Sequence, residues 1–487
     1  MIIEPVGKHV EASENEYRQQ RIDNMQKLHA LGYAPYGNAF ERSGNLADIR
    51  KHFSEDAPVS AAGRLATIRD MGKSIFADIR DGTDRFQIYV QKKNVGDEAF
   101  QAFKLLDTGD HLGIEGGLFT TKTGEPTLKV ERWNLLAKAL LPPPEKWHGL
   151  KDVEVRYRQR YLDLMANETS RAVFTNRINV IREIRQYLDG RGFVEVETPM
   201  MQAQAGGAAA RPFVSRYEAL GTDVYLRIAP ELYLKRLLVG GFDKVYELNR
   251  NFRNEGLSRT HNPEFTMLEI YEAYSNVRGM QEIIQGLITH VAKTVYGSLQ
   301  VGEGDTLIDL TPPWREVSYH ELIHERMGSD WTELSAEDAR SRAEAEGLTV
   351  EPDWDKLLIT HEVYEKLIEK TLNQPTFVTR LPAALIPLAR ACPDDESLAD
   401  VFELVIRGQE VAPAYTELND PTEQRKRLSQ QAGPQQERVD EDFLTALEYG
   451  MPPAGGMGVG VDRLIMILSG VDAIRDVILF PQLKPRD

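Results

Sequence analysis

One cysteine, Cys392, is all the thiol this 487-residue chain has, so it forms no internal disulfide and supplies no thiolate zinc cluster, which fits a reducing compartment. No apolar run approaches the ~18 residues of a membrane span, and the opening MIIEPVGKHVEASENEYRQQ lacks the apolar centre of a signal peptide. The expectation is a soluble, cytoplasmic protein with no membrane partner. Basic residues are too few to coat a nucleic acid by charge alone, because 58 Lys and Arg face 75 Asp and Glu, a net −17. Internal repeats and low-complexity tracts are absent too. What remains is an ordinary globular balance, 41% hydrophobic and 27% charged, in a chain long enough for roughly two to four domains.

The charge is unevenly spread. Residues 61–140 hold 12 Lys and Arg against 11 Asp and Glu, which leaves −18 on the rest. Before them, Tyr17, Ile22, Met25, Leu28 and Leu31 recur at helical intervals, predicting an amphipathic surface helix over Glu14–Leu31. The runs SIFADIR, RFQIYV, HLGIEGGLF and PTLKVERW alternate instead with period two, and five or so short strands with one helix suggest a small Greek-key barrel such as an OB-fold. LPPPEKWHG then marks a boundary, since consecutive prolines extend neither a helix nor a central strand. Beyond it, Phe174, Ile178, Ile181, Ile184 and Leu188 form one helix face before the strand-like FVEVETP, and further strands at hairpin spacing predict an antiparallel sheet. The reading is an α+β chain: a helical extension over 1–60, a barrel over 61–143, and a larger sheet domain over 144–487 with a helical insertion near 335–370.

The densest chemistry lies in KVYELNRNFRNEGLSRTHNPEFTMLEIYEAYS. Alternation puts Glu247, Asn249, Asn251 and Arg253 on one strand face and groups Phe265, Met267, Glu269 and Tyr271 on the returning strand, with Glu255, Arg259 and His261 in the loop. Such a face suits a ligand with an anionic group and a flat ring, because Arg binds phosphate or carboxylate bidentately and Phe stacks a base. A solvated face held by cross-strand ion pairs is the plain alternative.

FELVIRGQEVAPAYTELND is a second cluster. If Arg407 and Gly408 make a two-residue turn, Val405 pairs with Glu410 and Glu403 shares that face. Two converging carboxylates suit Mg²⁺ bridged to substrate phosphates; two exposed acids on a hairpin are the alternative. Strict alternation turns Glu417 away from Glu410, so one pocket for all three needs a bulge, expected at Pro413. A third cluster, PPAGGMGVGVDRLIMILSG, sets glycines before a helix headed by Asp462 and Arg463, which allows close backbone approach to an anion. Close strand–helix packing explains those glycines equally well. His320, Glu321 and His324 spell the zinc-peptidase pattern H-E-x-x-H, with Glu344 or Glu346 as an acid that could complete a metal set, but a surface helix carrying two histidines is the simpler reading.

Taken together, FVEVETPMM, FRNEG followed by HNPEFTMLEIY, and GMGVGVDR resemble motifs 1, 2 and 3 of a class II lysyl-tRNA synthetase of the bacterial type. The likeness runs through GRLATIRDMGKSIFADIRDGTDRFQIYV, RYRQRYLDL and RDVILFPQLKP, so it spans nearly the whole chain. It implies ATP-dependent activation of L-lysine and transfer to tRNA(Lys), by a homodimer joined near motif 1. It also implies that Arg253 bridges the amino-acid carboxylate and the α-phosphate, that Phe265 and Arg463 sandwich adenine, and that Glu255 and His261 meet the base and outer phosphates. Glu403 and Glu410 would hold Mg²⁺. Gly207 and Glu231 would receive the α-ammonium, and Glu269, Tyr271, Tyr415 and Glu417 would surround the ε-ammonium. In the barrel, the resemblance implies anticodon contacts from Phe76, Arg69, Gln87 and Glu131; barrel core is the alternative place for Phe76.

The chain departs from the family pattern at Ala384, Ile386 and Pro413, where a glutamate, a serine and a substrate-binding asparagine are usual. A paralogue with altered amino-acid choice is the alternative these positions raise. A nonenzymatic tRNA- or nucleotide-sensing protein would have no need of Arg253, Glu403 and Glu410 together.

Overall fold

The computed structural model describes residues 7–144, 150–204, 206–208, 210–432 and 439–485. Residues 145–149, half of the proline-rich boundary, fall outside them. The chain divides into two compact units, Met1–Lys151 and Asp152–Asp487.

The first unit begins with helix α1 (Gly7–Ala30). Five strands follow: β1 (Pro58–Asp70), β2 (Ser74–Arg80), β3 (Arg85–Gln91) and, after helix α2 (Asp97–Phe103), β4 (His111–Thr120) and β5 (Pro126–Ala137). They close into a barrel in the order β1-β2-β3-β5-β4, because β1 pairs with both β2 and β4. Alternation decides what fills it. Ile75, Ala77 and Ile79 of β2 and Phe86, Ile88 and Val90 of β3 point inward and are buried. Phe76, Gln87 and Tyr89 take the other parity and stay half-buried outside, so Phe76 is not core.

The second unit opens with helix α3 (Glu168–Asp189), followed by the two-residue strand β6 (Val194–Glu195), all that forms of the expected FVEVETP strand. Phe174, Val180, Ile184 and Leu188 face inward, whereas Ile178, expected on that face, is 61% exposed. Arg177 takes the inward place, since its guanidinium donates to Asp462 at 2.5 Å and to Thr266 at 2.9 Å. A buried charge with two such partners displaces an apolar neighbour from the stripe.

Next come helix α4 (Glu231–Val239), strands β7 (Lys244–Phe252) and β8 (Glu264–Ala273), and helix α5 (Val277–Val291). Strand β9 (Arg315–Ser318) leads into helices α6 (Tyr319–Met327), α7 (Ala336–Ala345) and α8 (Lys356–Val363). Strands β10 (Thr376–Thr379), β11 (Val401–Ile406), β12 (Gln409–Thr416) and β13 (Ala454–Gly460) and helix α9 (Val461–Ser469) follow. The eight strands form one sheet, β9-β10-β11-β12-β13-β8-β7-β6, antiparallel except for the parallel pairs β9/β10 and β6/β7. Leu248, Leu268, Ile270, Leu404, Ala412, Met457 and Val459 form one face and pack on α3, α5 and α9. By period two, every residue between them points the other way, and there the site lies.

Candidate active site

The β7–β8 register places Glu247 opposite Glu269, Asn249 opposite Met267 and Asn251 opposite Phe265. Glu247, Asn251, Glu269 and Tyr271 are all buried, which excludes a solvated ion-pair face. Glu247 itself is a scaffold residue, held by Arg227 at 2.6 Å and Thr198 at 2.6 Å.

Two neighbouring cavities open on this face. The smaller, about 130 Å³, is lined by Arg253, Glu255, His261, Phe265, Glu410, Pro413 and Arg463 among others. The Arg253 guanidinium lies 5.2 Å above the Phe265 ring. Arg463 donates to the Glu410 carbonyl at 2.8 Å and to His261 Nε2 at 3.1 Å. Burial, then Arg463, holds His261 below its ordinary range, so its ring is neutral and Nε2 accepts. Arginines 253 and 463 therefore share one cavity although the chain separates them widely.

The larger cavity, about 950 Å³, is lined by Gly207, Glu231, Glu269, Tyr271, Glu403 and Tyr415 together with Arg253, Glu410 and Pro413. Gly207 has φ +84° and faces Glu231 so closely that a Cβ would lie 3.1 Å from that residue's own; glycine is what the chain conformation admits there. Burial, followed by the charge of Glu231, pushes the Glu269 carboxyl up to about 8, against a hydrogen bond from Tyr271 at 3.0 Å. Glu417 departs from the expected arrangement. It is absent from the cavity wall and sits fully buried behind it, with Oε2 2.5 Å from Lys235 Nζ.

Arg407 and Gly408 form the turn with φ of 56° and 65°, as hairpin twist requires. Val405 pairs with Glu410 and Glu403 with Pro413, so the register shifts between them. The extra residue is Val411, not the expected Pro413. One inserted residue changes parity, and this brings Glu403, Glu410, Pro413, Tyr415 and Glu417 to one face of the hairpin.

Glu403 is raised well above the carboxylate range by burial first and by Glu410 second, and its Oε2 accepts from Tyr364 at 3.1 Å. Glu369 accepts the Glu410 N–H at 2.9 Å and is itself raised by burial and by Glu410. Acids crowded this way, with no ion pair to any of the three among the described residues, suit a divalent ion. Among the described residues no three or more His, Cys, Asp or Glu side chains are grouped to hold a metal, so substrate oxygens would have to complete the shell. The H-E-x-x-H reading fails on the same ground: Glu321 caps its own helix by accepting from the Ser318 N–H at 2.8 Å, and Glu346 pairs with Arg326 at 2.5 Å.

Sequence reasoning passed over Glu369, Tyr364 and His361, all in or next to the insertion treated as bare scaffold; His361 lines the larger cavity. It also passed over Lys235, although Glu231 and Lys235 stand four apart on a helix, a visible pairing signal. Strand β13 contributes no side chain at Gly456, Gly458 or Gly460, which lie beside Tyr271, Glu269 and Met267. Gly460 lines the smaller cavity and Gly458 the larger, whereas Gly456 is covered by Glu417 and Tyr271.

Residues 152–484 match the family described as tRNA synthetases class II (D, K and N), and residues 59–136 match the OB-fold nucleic acid binding domain. The chain belongs to the class II tRNA synthetases. It is 48% identical to the lysine–tRNA ligase of Pelotomaculum thermopropionicum, over all of this chain and 98% of that protein. Against the lysine–tRNA ligase of Moorella thermoacetica the identity is 48% over 98% of this chain and 99% of the relative. For that of Oceanobacillus iheyensis it is 45% over 97% and 99%.

On the synthetase's barrel, Phe76 lies 4.7 Å from Tyr89, which lies 5.9 Å from Phe119, a row of rings on the outer surface. Arg69 pairs across the strands with Phe76, and Gln87 accepts from Thr127 at 3.0 Å. Glu131 is exposed at a bulge of β5. Tyr89 and Phe119 were legible as outward-parity aromatics and were overlooked. No helix among the described residues is long and apolar enough to cross a membrane.

Proposed function

We propose that the protein is a lysine–tRNA ligase: it activates L-lysine with ATP to lysyl-adenylate and transfers the lysyl group to the 3′ end of tRNA(Lys). One observation carries this reading. Arg253 lies in the walls of both cavities, between a side bearing Phe265, His261 and Arg463 and a recess bearing Glu231, Glu269 and Tyr271. An altered amino-acid choice is not favoured, since the full-length relatives at 45–48% identity carry the lysine name.

In this reading Phe265 and Arg463 hold adenine, Glu255 meets its amino group, and His261 lies near the outer phosphates. Arg253 aligns the lysine carboxylate with the α-phosphate and neutralises the charge that builds during in-line attack. Glu403 and Glu410 would hold Mg²⁺, which supplies charge neutralisation at the phosphate oxygens. Gly207 and Glu231 take the α-ammonium, while Glu269, Tyr271 and Tyr415 enclose the ε-ammonium, with Glu417 behind them. A cation pairs such acids; a neutral competitor leaves them buried and alone. The exposed Tyr161, Ile178 and Val194 around motif 1 support a homodimer there. The buried lone Cys392 is compatible with the cytoplasm.

Pyrophosphate exchange across the standard amino acids tests the reading: lysine alone should drive it, and silence with every amino acid would overturn it. The Glu269 environment adds a pH signature. Its carboxyl is protonated below about pH 8 and charged above, and the charged form attracts an ammonium, so the lysine KM should fall as pH rises from 7 towards 8.5. The expected change is about threefold to tenfold, and Glu269→Gln should flatten it. For the barrel, Phe76→Ala should raise the KM for tRNA by about tenfold, as base stacking is worth about 1–3 kcal/mol. Aminoacylation at varied tRNA, with exchange unaffected, is the measurement.

A further inference from the structure

Helix α4 carries a lysine with no exposed surface. Lys235 Nζ lies 2.8 Å from Glu231 Oε1, one turn earlier, and 2.5 Å from Glu417 Oε2, just past the end of β12. Side-chain exposure is 0% for Lys235, 8% for Glu231 and 0% for Glu417, so all three groups are inside the protein, and burial, opposed by the Lys235 ammonium, pushes the Glu417 carboxyl up to about 7. Burial opposes the ammonium, but the two carboxylates outweigh it and hold the lysine above its ordinary range. It is therefore charged.

The other carboxylate oxygen of Glu417 is left over. Neither oxygen accepts a hydrogen bond, but Oε2 has the Lys235 ion pair, whereas Oε1 has no partner and with the Tyr271 ring borders the space in front of Gly456. Tyr271 lines the larger cavity and neither Glu417 nor Gly456 does, so the free oxygen lies beside a wall residue rather than in the wall. Burying an ammonium is costly, and an apolar side chain of similar length would fill the same space without that penalty. A charge in this position needs a reason beyond packing.

We propose that Lys235 is the resident counter-ion of the amino-acid recess, a positioning residue that locks Glu231 and Glu417 in place and leaves one negative charge uncompensated for the substrate's ammonium. The inference rests on reading the recess as the lysine site. Both carboxylates touch one ammonium, so they stand closer together than two unpaired buried acids would remain. Without Lys235 one of them takes up a proton or turns away, and the incoming ammonium meets a recess that is neither fixed nor charged.

The test uses the full-length protein in pyrophosphate exchange. Lys235→Met and Lys235→Ala should raise the lysine KM by about 150-fold, the lower end of the expected scale for breaking a buried pair, with the ATP KM within about twofold. In Lys235→Ala, added propylammonium replaces the missing atoms and should lower the lysine KM again; tetramethylammonium, which has no N–H, should not. A folded variant with its lysine KM within about threefold of the wild type overturns the proposal, as do lysine and ATP KM values rising together with no response to propylammonium. If the single variants do not fold, the uncharged Lys235→Met/Glu417→Gln pair is compared with Glu417→Gln alone. The pair again leaves one negative charge, on Glu231, where Glu417→Gln alone leaves none, so a lysine KM below that of Glu417→Gln supports the proposal, and an equal or higher one overturns it. A wild-type protein that fails to exchange with lysine removes the underlying reading instead, so the two failures are distinguishable.

Discussion

Arg253→Ala should lower lysine-dependent pyrophosphate exchange about a thousandfold, the range seen when a preorganised cationic or oxyanion donor is removed from a reacting centre. Among the described residues Arg253 is the only cation in the walls of both cavities. Its guanidinium already rests over Phe265 and its Nε is buried without a partner, so a donor is held ready where two anionic groups must meet. The loss should fall mainly on kcat, because the repulsion it relieves grows as the carboxylate approaches the α-phosphate. Arg253→Lys should recover only part of the activity, since a point charge lacks the planar fork. A loss smaller than tenfold in a folded variant would falsify the assignment of Arg253 to the reacting centre.

The second large effect is expected from a single methyl group. Gly456 lies between Tyr271 and Tyr415 in the sheet, and a Cβ there would meet Glu417 Oε1 at 1.9 Å and the Tyr271 ring at 2.5 Å. Glu417 is fully buried and paired with Lys235, so it cannot yield without disturbing that pair. Gly456→Ala should raise the lysine KM about 100-fold, the cost of displacing a charge-assisted contact of about 1.5–3 kcal/mol. The ATP KM should hold, because the adenine side of the site is built from other residues. Steady-state exchange at varied lysine and varied ATP, beside a thermal melt, separates this from unfolding. Equal changes in both KM values would show that the glycine serves the sheet and not the recess.

Much of the site was legible because strand parity is a local property. The grouping of Asn251 and Arg253 with Phe265, Glu269 and Tyr271 needed only period two and a hairpin, and the observed register agrees. The pairing of Val405 with Glu410 followed likewise from the Arg407–Gly408 turn. Parity stops being informative where an extra residue enters. Val411 and Pro413 both lie in β12, and proline chemistry pointed to the wrong one because the bulge is decided by neighbouring strands. Ile178 failed for a related reason: periodicity ranks apolar residues above charged ones and cannot foresee that Arg177 finds Asp462 across the fold.

Length, a single cysteine, the absence of a long apolar run and the three motif-like segments determined the class of molecule, because each depends on residue types in order along the chain. Local alternation likewise determined which side chains share a strand face. Tertiary structure alone decided that Arg253 and Arg463 share a cavity, that Tyr364 and Glu369 of the insertion attend the paired acids, and that Lys235 pairs with Glu417 behind the wall. Those are encounters between residues distant in sequence, and whether a charge is buried, paired or free depends on what the fold packs against it.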